Sequence, residues 1–159
     1  RSDKKKISET DNLRPNNYYG ISKLIQSTIL LKYAKIICSK TIVLRIFNMY
    51  GKIYAKHLLI GKINNTIKKG KNSFNLGSLK DFRDYISTEK ASQMIIKCML
   101  KGNYYSVYNI GSGNLMKVRE VVKKYFKIIK LKKYKIIEKK SYNDSNYSCA
   151  NIRKYKSIL

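Results

Sequence analysis

Apolar residues recur along this 159-residue chain in two alternating patterns. Helical spacing of apolar positions predicts helices over residues 19–39, 57–69, 87–100 and 118–129, and a short closing helix over 151–159. Short apolar runs rich in β-branched residues lie between them, at 41–48, 107–110 and 135–137. Helices that alternate with short apolar strands predict an α/β fold with a parallel sheet, in one domain.

The predicted helices carry apolar faces that should pack against this sheet. In the helix over 87–100 the expected inward residues are Ala91, Met94, Ile95, Cys98 and Met99. The segment 57–69 is amphipathic through Leu58, Ile60, Ile63 and Ile67. In the helix over 19–39 the residues near helical spacing are Ile21, Leu24, Ile25, Thr28, Leu31 and Ala34. The run 41–48 should be buried as one parallel strand, ended by the turn at Gly51.

The most informative chemistry lies at the start of the first predicted helix, where Lys23 follows Tyr19 by four residues. Positions four apart lie only about 40° apart around a helix, so both polar ends would reach one site, which Tyr18 would not share. A phenol ionises near a pKa of ~10, and a nearby ammonium stabilises the phenolate and brings that pKa toward neutrality. The pair is a candidate proton shuttle, and a packed ring beside a solvated amine is the alternative.

Further motifs accompany this pair in a fixed order. Residues 8–17 supply turn and helix-start signals before Tyr19, and they are followed by RIFNMYG at 45–51, LGSLKDFRDYI at 76–86 and VYNIGSG at 107–113. Together these motifs resemble the extended short-chain dehydrogenase/reductase superfamily, and within it the NAD-dependent epimerase/dehydratase family that remodels nucleotide sugars. The resemblance runs from about Ile7 to the C-terminus.

The resemblance implies the C-terminal part of a Rossmann-like parallel sheet with a small α/β substrate-binding subdomain. Residues 1–57 and 87–113 would form the remaining Rossmann-like elements, and residues 58–86 and 114–159 the substrate-binding part. Family members carry a Gly-rich strand-turn-helix and a catalytic Ser or Thr ahead of the Tyr-x-x-x-Lys helix. These parts have no room before Tyr19, so we expect a C-terminal fragment that lacks the dinucleotide-binding half.

The resemblance also assigns roles to individual residues. Tyr19 would be the general acid/base at the sugar hydroxyl or keto oxygen, and Lys23 would hold the nicotinamide ribose of NAD or NADP, so both also count as cofactor-binding. Asn48 would contact the substrate, and the carboxyl end of a parallel strand is where ligands gather in open α/β sheets. A turn residue that satisfies local backbone is the alternative for Asn48.

Two further segments complete the expected substrate site. Arg83 would grip the substrate diphosphate through paired guanidinium donors, and an ion pair with Asp81 or Asp84 is the alternative. The residues expected to shape the pocket beside the base are Phe74, Leu76 and Gly77, although apolar positions of this kind are more often core. The turn at 111–113 lacks the third glycine of a dinucleotide fingerprint, and in the family it ends a late strand.

The chain departs from the family pattern at three positions. Gln26 replaces an acidic residue on the first helix, and Lys52 replaces a proline after the Tyr-Gly of the strand loop. Lys90 stands where an aspartate usually follows Arg-Asp-Tyr-Ile, and we expect this change to disturb the start of the helix there. The third departure leaves open a degenerate or specialised family member.

The net charge of +26, from 35 basic and 9 acidic residues, would ordinarily indicate a nucleic-acid or anionic-membrane partner. Here the basic residues are nearly all lysine and are spread along the chain, in small clusters at 4–6, 68–69, 123–124 and 130–140. Lys, Ile, Asn and Tyr are enriched together, as an AT-rich coding sequence would produce. We therefore interpret the lysines mainly as solvated faces.

The cysteines, the histidine and the apolar runs argue against several other kinds of protein. Cys38, Cys98 and Cys149 are odd in number and widely spaced, which argues against a disulfide scaffold and a zinc site and suits reduced cytoplasmic thiols. The only histidine, His57, has no ligand cluster around it in the sequence, so no metal is expected. No apolar run approaches the ~20 residues of a membrane span.

The sequence thus predicts a nucleotide-sugar epimerase, 4,6-dehydratase or 4-ketoreductase that exchanges hydride with NAD or NADP. Its expected partner is a nucleotide-diphosphate sugar, with no nucleic acid and no membrane, and a homodimer is expected for the full-length cytoplasmic parent. Residues 75–84 lean toward GDP-mannose dehydratases and GDP-keto-deoxymannose reductases, whereas Arg-Asp-Tyr-Ile suits UDP-hexose 4-epimerases equally. The alternatives are a catalytically inactive sugar-nucleotide-binding member and a basic nucleic-acid-binding α/β module.

Overall fold

The computed structural model describes residues 6–51, 55–138 and 146–159. Within these ranges the helices are α1 (Tyr18–Ile36), α2 (Leu59–Lys68), α3 (Thr88–Lys101), α4 (Val118–Ile128) and α5 (Arg153–Lys156). The strands are β1 (Ile42–Ile46), β2 (Asn48–Tyr50), β3 (Ser73–Leu76), β4 (Phe82–Ser87), β5 (Ser106–Ile110), β6 (Leu115–Lys117), β7 (Lys135–Glu138) and β8 (Tyr147–Ser148). Lys52 and the basic residues at 4, 5, 139 and 140 lie outside the described residues.

Most strand pairs are parallel, which confirms the predicted α/β class. β1 pairs with β5, β2 with β4, and β3 with β7, all in parallel. β4 also pairs in parallel with β8 and antiparallel with β6. Parallel neighbours require crossover connections, and α2 and α3 lie in such connections between strands.

The predicted strand over 41–48 is wrong in one respect, because it is divided between two sheets. β1 ends at Ile46 and stays beside β5, whereas Asn48 opens β2 and pairs in register with Tyr85 of β4. Phe47 makes the junction, and its N–H still bonds the carbonyl oxygen of Ile110 at 2.9 Å. β1 is also only half-buried rather than buried, since among the described strands it has β5 as its one partner.

Two separate hydrophobic clusters form the core. The first joins α2, β3 and α4 and contains Ile60, Ile63, Phe74, Leu76, Leu79, Val118, Val122 and Phe126. The second joins β4, α3 and β5 and contains Ile86, Ala91, Met94, Cys98, Tyr108 and Ile110. The rings of Phe74 and Phe126 meet with centroids 5.0 Å apart, so side chains distant in sequence close the first cluster.

Helix α1 has apolar residues on both sides, which the sequence pattern did not resolve. Its inner side packs through half-buried Leu24 and Leu31 and buried Ala34. The opposite side exposes Tyr18, Ile21, Ile25, Ile29, Tyr33 and Ile36, here called the outer stripe. Ile21 and Ile25, which share helical spacing with Leu24 and Leu31, are therefore exposed. The expected inward packing of Met99 on α3 is wrong, because Met99 is 68% exposed.

The expectation that Lys90 disturbs the start of α3 is also wrong. The helix begins at Thr88, and the hydroxyl oxygen of Ser87 accepts a hydrogen bond from the backbone N–H of Lys90 at 3.2 Å. A cap of this kind needs the backbone donor and the capping side chain, so the identity of the side chain at position 90 does not matter.

Candidate functional site

Tyr19 and Lys23 lie on one face at the beginning of α1, as the spacing predicted. Asn17 caps the helix, because its side-chain oxygen accepts the N–H of Gly20 at 2.7 Å. The ammonium nitrogen of Lys23 lies 5.8 Å from the centroid of the Tyr19 ring and donates to the amide oxygen of Gln26 at 3.0 Å. Gln26 thus supplies a neutral acceptor to the ammonium of Lys23.

A cleft of about 780 Å³ separates α1 from β1, and both Tyr19 and Lys23 line it. Its opposite wall is formed by Ile42–Ile46. A second cleft of about 360 Å³ shares Leu13, Arg45 and Ile46 with the first and extends to Asn48 and Asn109. The two clefts therefore meet at the carboxyl ends of the parallel strands β1 and β5, where open α/β sheets bind ligands.

The segment that leads into α1 is anchored to these strand ends by groups that the sequence analysis missed. The carboxylate of Glu9 accepts the N–H of Asn109 at 2.9 Å, and Asn109 Nδ2 donates to the carbonyl of Ile7 at 2.9 Å. Arg45 Nη1 donates to the carbonyl of Glu9 at 3.1 Å. Burial lowers the pKa of Arg45, and the Glu9 carboxylate opposes that effect.

Asn48 connects the site to β4. Its side-chain Nδ2 donates to the carbonyl oxygen of Asp84 at 3.0 Å, and its side chain also lines the second cleft. The alternative, a turn residue that satisfies local backbone, does not describe Asn48, because Asn48 opens β2 and its Nδ2 binds backbone 36 residues away. Contact between Asn48 and substrate stays a prediction.

Arg83 forms an ion pair with Asp81, one of the two partners that the sequence offered. Its Nη2 lies 2.6 Å from Asp81 Oδ2, while Nη1 donates to the carbonyls of Phe82 and Asn146 at 2.9 and 3.0 Å. The pair is partly exposed, with side-chain exposures of 26% for Arg83 and 14% for Asp81. Diphosphate binding by Arg83 stays a prediction.

Asp84, the other possible partner of Arg83, instead organises the glycine turn at 111–113. Its fully buried carboxylate accepts the N–H of Ser112 (2.8 Å), the hydroxyl of Ser112 (2.6 Å), and the N–H groups of Gly113 (2.9 Å) and Ala150 (3.1 Å). A Cβ on Gly111 would lie 2.5 Å from that of Ala150, and Gly113 has a φ of +75°. The turn therefore supplies hydrogen-bond donors to this carboxylate. Gly111 is required because a Cβ would not fit there, and Gly113 is required because its φ is positive.

Cys149 lies buried beside Asp84. Burial raises the pKa of the Cys149 thiol to about 11, and the negative charge of Asp84 adds to the increase. A thiol of this kind stays protonated at neutral pH and is a poor nucleophile. Its role here is to pack.

Two of the expected substrate residues lie in the core. Phe74 and Leu76 are buried in the first cluster, while Gly77 is exposed at the end of β3. Their contact with a nucleotide base stays a prediction. Within the described ranges no set of three His, Cys, Asp or Glu side chains is placed to hold a metal ion, and no helix could cross a membrane.

Comparison with known proteins gives three relevant matches. The family model for GDP-mannose 4,6 dehydratase matches residues 1–157. A dTDP-4-dehydro-6-deoxyglucose reductase from Escherichia coli is 32% identical over 119 residues, which is 73% of this chain and 38% of the reductase. The dTDP-glucose 4,6-dehydratase of Bacillus anthracis, solved with NAD, is 26% identical with a TM-score of 0.84.

The structural match covers 99% of this chain and 50% of the Bacillus anthracis dehydratase. A UDP-glucuronic acid 4-epimerase from Bacillus cereus, solved with a fluorinated UDP-glucuronic acid and NAD, has a TM-score of 0.85 and 20% identity and shares the fold. The match covers 97% of this chain and 50% of the epimerase. The chain thus spans half or less of the length of each of these three proteins.

Proposed function

Because this chain belongs to the GDP-mannose 4,6-dehydratase family of extended short-chain dehydrogenases/reductases, we propose that it works in a nucleotide-sugar epimerase, 4,6-dehydratase or 4-ketoreductase. The observation that carries the proposal is the placement of Tyr19 and Lys23 on one wall of the cleft at the ends of β1 and β5. The complete enzyme would contain this chain together with a dinucleotide-binding half. Its substrate would be a nucleotide-diphosphate sugar.

The residues around the cleft suit a bound NAD or NADP. Tyr19 and Lys23 both line the cleft, and an ammonium beside a phenol offers donors to ribose hydroxyls. The dinucleotide, when bound, would supply the hydride exchange. The role of Tyr19 is to give or take the proton at the sugar oxygen, and the ammonium of Lys23, 5.8 Å from the centroid of the Tyr19 ring, would hold the nicotinamide ribose beside it.

The substrate would extend from the first cleft to the second, so that its sugar meets Tyr19 and its diphosphate meets Arg83. Asn48, at the second cleft, is connected to β4 through the carbonyl of Asp84, and Arg83 precedes Asp84 on that strand. Proximity and orientation of this kind supply much of the rate enhancement of enzymes. Our proposed division has Rossmann-like elements (1–57 and 87–113) and a substrate-binding part (58–86 and 114–159). The first core supports it, because that core joins residues of 58–86 and 114–159 only, whereas the second core also includes Ile86 and packs against Ile152, Tyr155 and Ile158.

Replacing Arg83 by Leu in the complete enzyme should weaken GDP and UDP binding by about 1.5 to 3 kcal/mol, the usual worth of a hydrogen bond to a charged group. Isothermal titration measures the loss directly. The matched control replaces Lys132 and Lys133, two exposed residues before β7, by Gln; it removes more positive charge and should change GDP affinity less than twofold.

The same variants separate this function from nucleic-acid binding. A nucleic-acid-binding protein would bind a random oligonucleotide at physiological salt, lose that affinity steeply with added salt, and respond to the lysine changes rather than to Arg83→Leu. Equal losses of GDP binding from the arginine and lysine variants would mean that Arg83 forms no specific site.

We further propose that the complete enzyme is a homodimer that packs through the outer stripe of α1. Apolar residues at helical spacing on the side of α1 facing away from the sheet support this arrangement. Ile25→Glu should raise the dimer dissociation constant at least about tenfold, because it places a charge in an apolar contact. Sedimentation measures the dissociation constant of this variant. The control is Ile128→Glu, at an exposed isoleucine of α4. Equal dissociation constants for the two variants would contradict the proposed interface.

We place the enzyme in the cytoplasm. The three cysteines, Cys38, Cys98 and Cys149, are all unpaired, and two of them are buried as thiols. Reduced thiols of this kind suit a reducing compartment.

A further inference from the structure

Asp81, Arg83 and Asn146 form a closed cluster of contacts at the edge of β4. The Asp81 carboxylate binds Arg83 Nη2 at 2.6 Å through Oδ2 and accepts the backbone N–H of Asn146 at 3.1 Å through Oδ1. The carbonyl of Asn146 in turn accepts from Arg83 Nη1 at 3.0 Å. Each member thus contacts the other two, and the guanidinium is held from two directions.

These contacts use three of the five N–H donors of Arg83. Nη1 donates to the carbonyls of Phe82 and Asn146, and Nη2 donates once, to Asp81. Within the part of the chain that the structure describes, the hydrogen bonds of Arg83 leave Nε–H and the second N–H of Nη2 for a ligand. The Nε–H and an Nη2–H of a guanidinium can together bind the paired oxygens of a phosphate group.

Asp81 is itself fixed independently of Arg83. Besides the N–H of Asn146, its Oδ1 lies 3.5 Å from the hydroxyl of Ser78, and the carboxylate is mostly buried. A carboxylate held in this way can orient a guanidinium before any ligand arrives. The same charge would, however, repel a diphosphate, so its two effects on nucleotide binding have opposite signs.

We propose that Asp81 is a positioning residue for the substrate diphosphate and acts through Arg83. The inference rests on the proposed binding of a diphosphate by Arg83. The orienting effect outweighs repulsion because the Arg83 guanidinium lies 2.6 Å from the Asp81 carboxylate and offsets its charge. The direction of the guanidinium donors, by contrast, depends on the direct contacts at 2.6 and 3.0 Å.

The test is the affinity of the complete enzyme for GDP and UDP, measured by isothermal titration. Asp81→Asn should weaken binding about fivefold to tenfold, although it makes the site more positive. Glu120→Gln, at an exposed position of α4, changes the net charge equally and should leave affinity within twofold. Asp81→Glu keeps the charge and displaces the carboxylate by one methylene, so it should also weaken binding.

A double-mutant cycle with Arg83→Leu identifies the route of the effect. If Asp81 acts through Arg83, Asp81→Asn should cause no further loss in the Arg83→Leu background. An equal loss in both backgrounds would assign Asp81 a general structural role and overturn the inference, as would unchanged or tighter binding by Asp81→Asn or Asp81→Glu. Unchanged binding by Arg83→Leu alone would instead remove the proposed diphosphate site.

Discussion

Replacing Tyr19 by Phe in the complete enzyme should lower turnover by about 10² to 10⁴ while nucleotide-sugar affinity changes little, as expected for lost general acid/base catalysis. The substitution deletes the transferable proton and keeps the ring. Tyr19 is 72% exposed on the wall of the cleft, with the ammonium of Lys23 5.8 Å from its ring centroid, so its hydroxyl is accessible to a substrate. Turnover and KM for the preferred nucleotide sugar are measured with saturating NAD or NADP.

Tyr18→Phe is the matched control for this prediction. Tyr18 is the neighbouring residue and is 92% exposed, but it belongs to the outer stripe of α1 and lies about 100° around the helix axis from Tyr19. Its replacement should leave turnover within twofold of the unchanged enzyme. Near-normal turnover by Tyr19→Phe, or equal losses from the two variants, would exclude Tyr19 from the mechanism.

Replacing Asp84 by Ala should lower the free energy of unfolding by about 3 to 5 kcal/mol. The change leaves the donors of Ser112, Gly113 and Ala150 buried without their acceptor, and it also breaks the connection between β4, the turn at 111–113 and the segment before α5. Urea denaturation of the enzyme measures the loss.

Two further variants test the physical origin of that loss. Asp84→Asn keeps the shape of the side chain and one acceptor oxygen, so its loss should be smaller than that of Asp84→Ala. Glu120→Ala removes an exposed carboxylate and should change the free energy of unfolding by less than about 0.5 kcal/mol. If Asp84→Ala proved no more destabilising than Glu120→Ala, the buried carboxylate would not be needed to hold the turn.

Sequence periodicity predicted the helices well because a helix depends largely on local residues. Helices over 19–39, 87–100 and 118–129 were predicted, and α1, α3 and α4 lie over these segments. Strands β2, β3, β4, β6 and β8 were missed. They are short and carry polar residues such as Arg83 and Asp84, whose pairing depends on distant segments.

The candidate site likewise has features that the sequence predicts and features that it does not. The shared face of Tyr19 and Lys23 followed from spacing alone, because residues four apart on one helix must be neighbours. The anchoring of Glu9 on Asn109 could not be predicted, since those residues lie 100 positions apart. The sequence left the ion-pair partner of Arg83 open between Asp81 and Asp84. In the structure Asp84 is fully buried, and Arg83 pairs with Asp81.

The sequence by itself determined the α/β class, the family resemblance and the placement of the acid/base pair on one helical face. Only the tertiary structure decided that the run 41–48 leaves one sheet for another at Phe47, that Asp84 turns inward to bind Ser112, and that Asp81 therefore remains for Arg83. The physical reason is that local patterns fix which face a residue occupies, whereas hydrogen-bond partners across 28 or more residues exist only once the strands have paired.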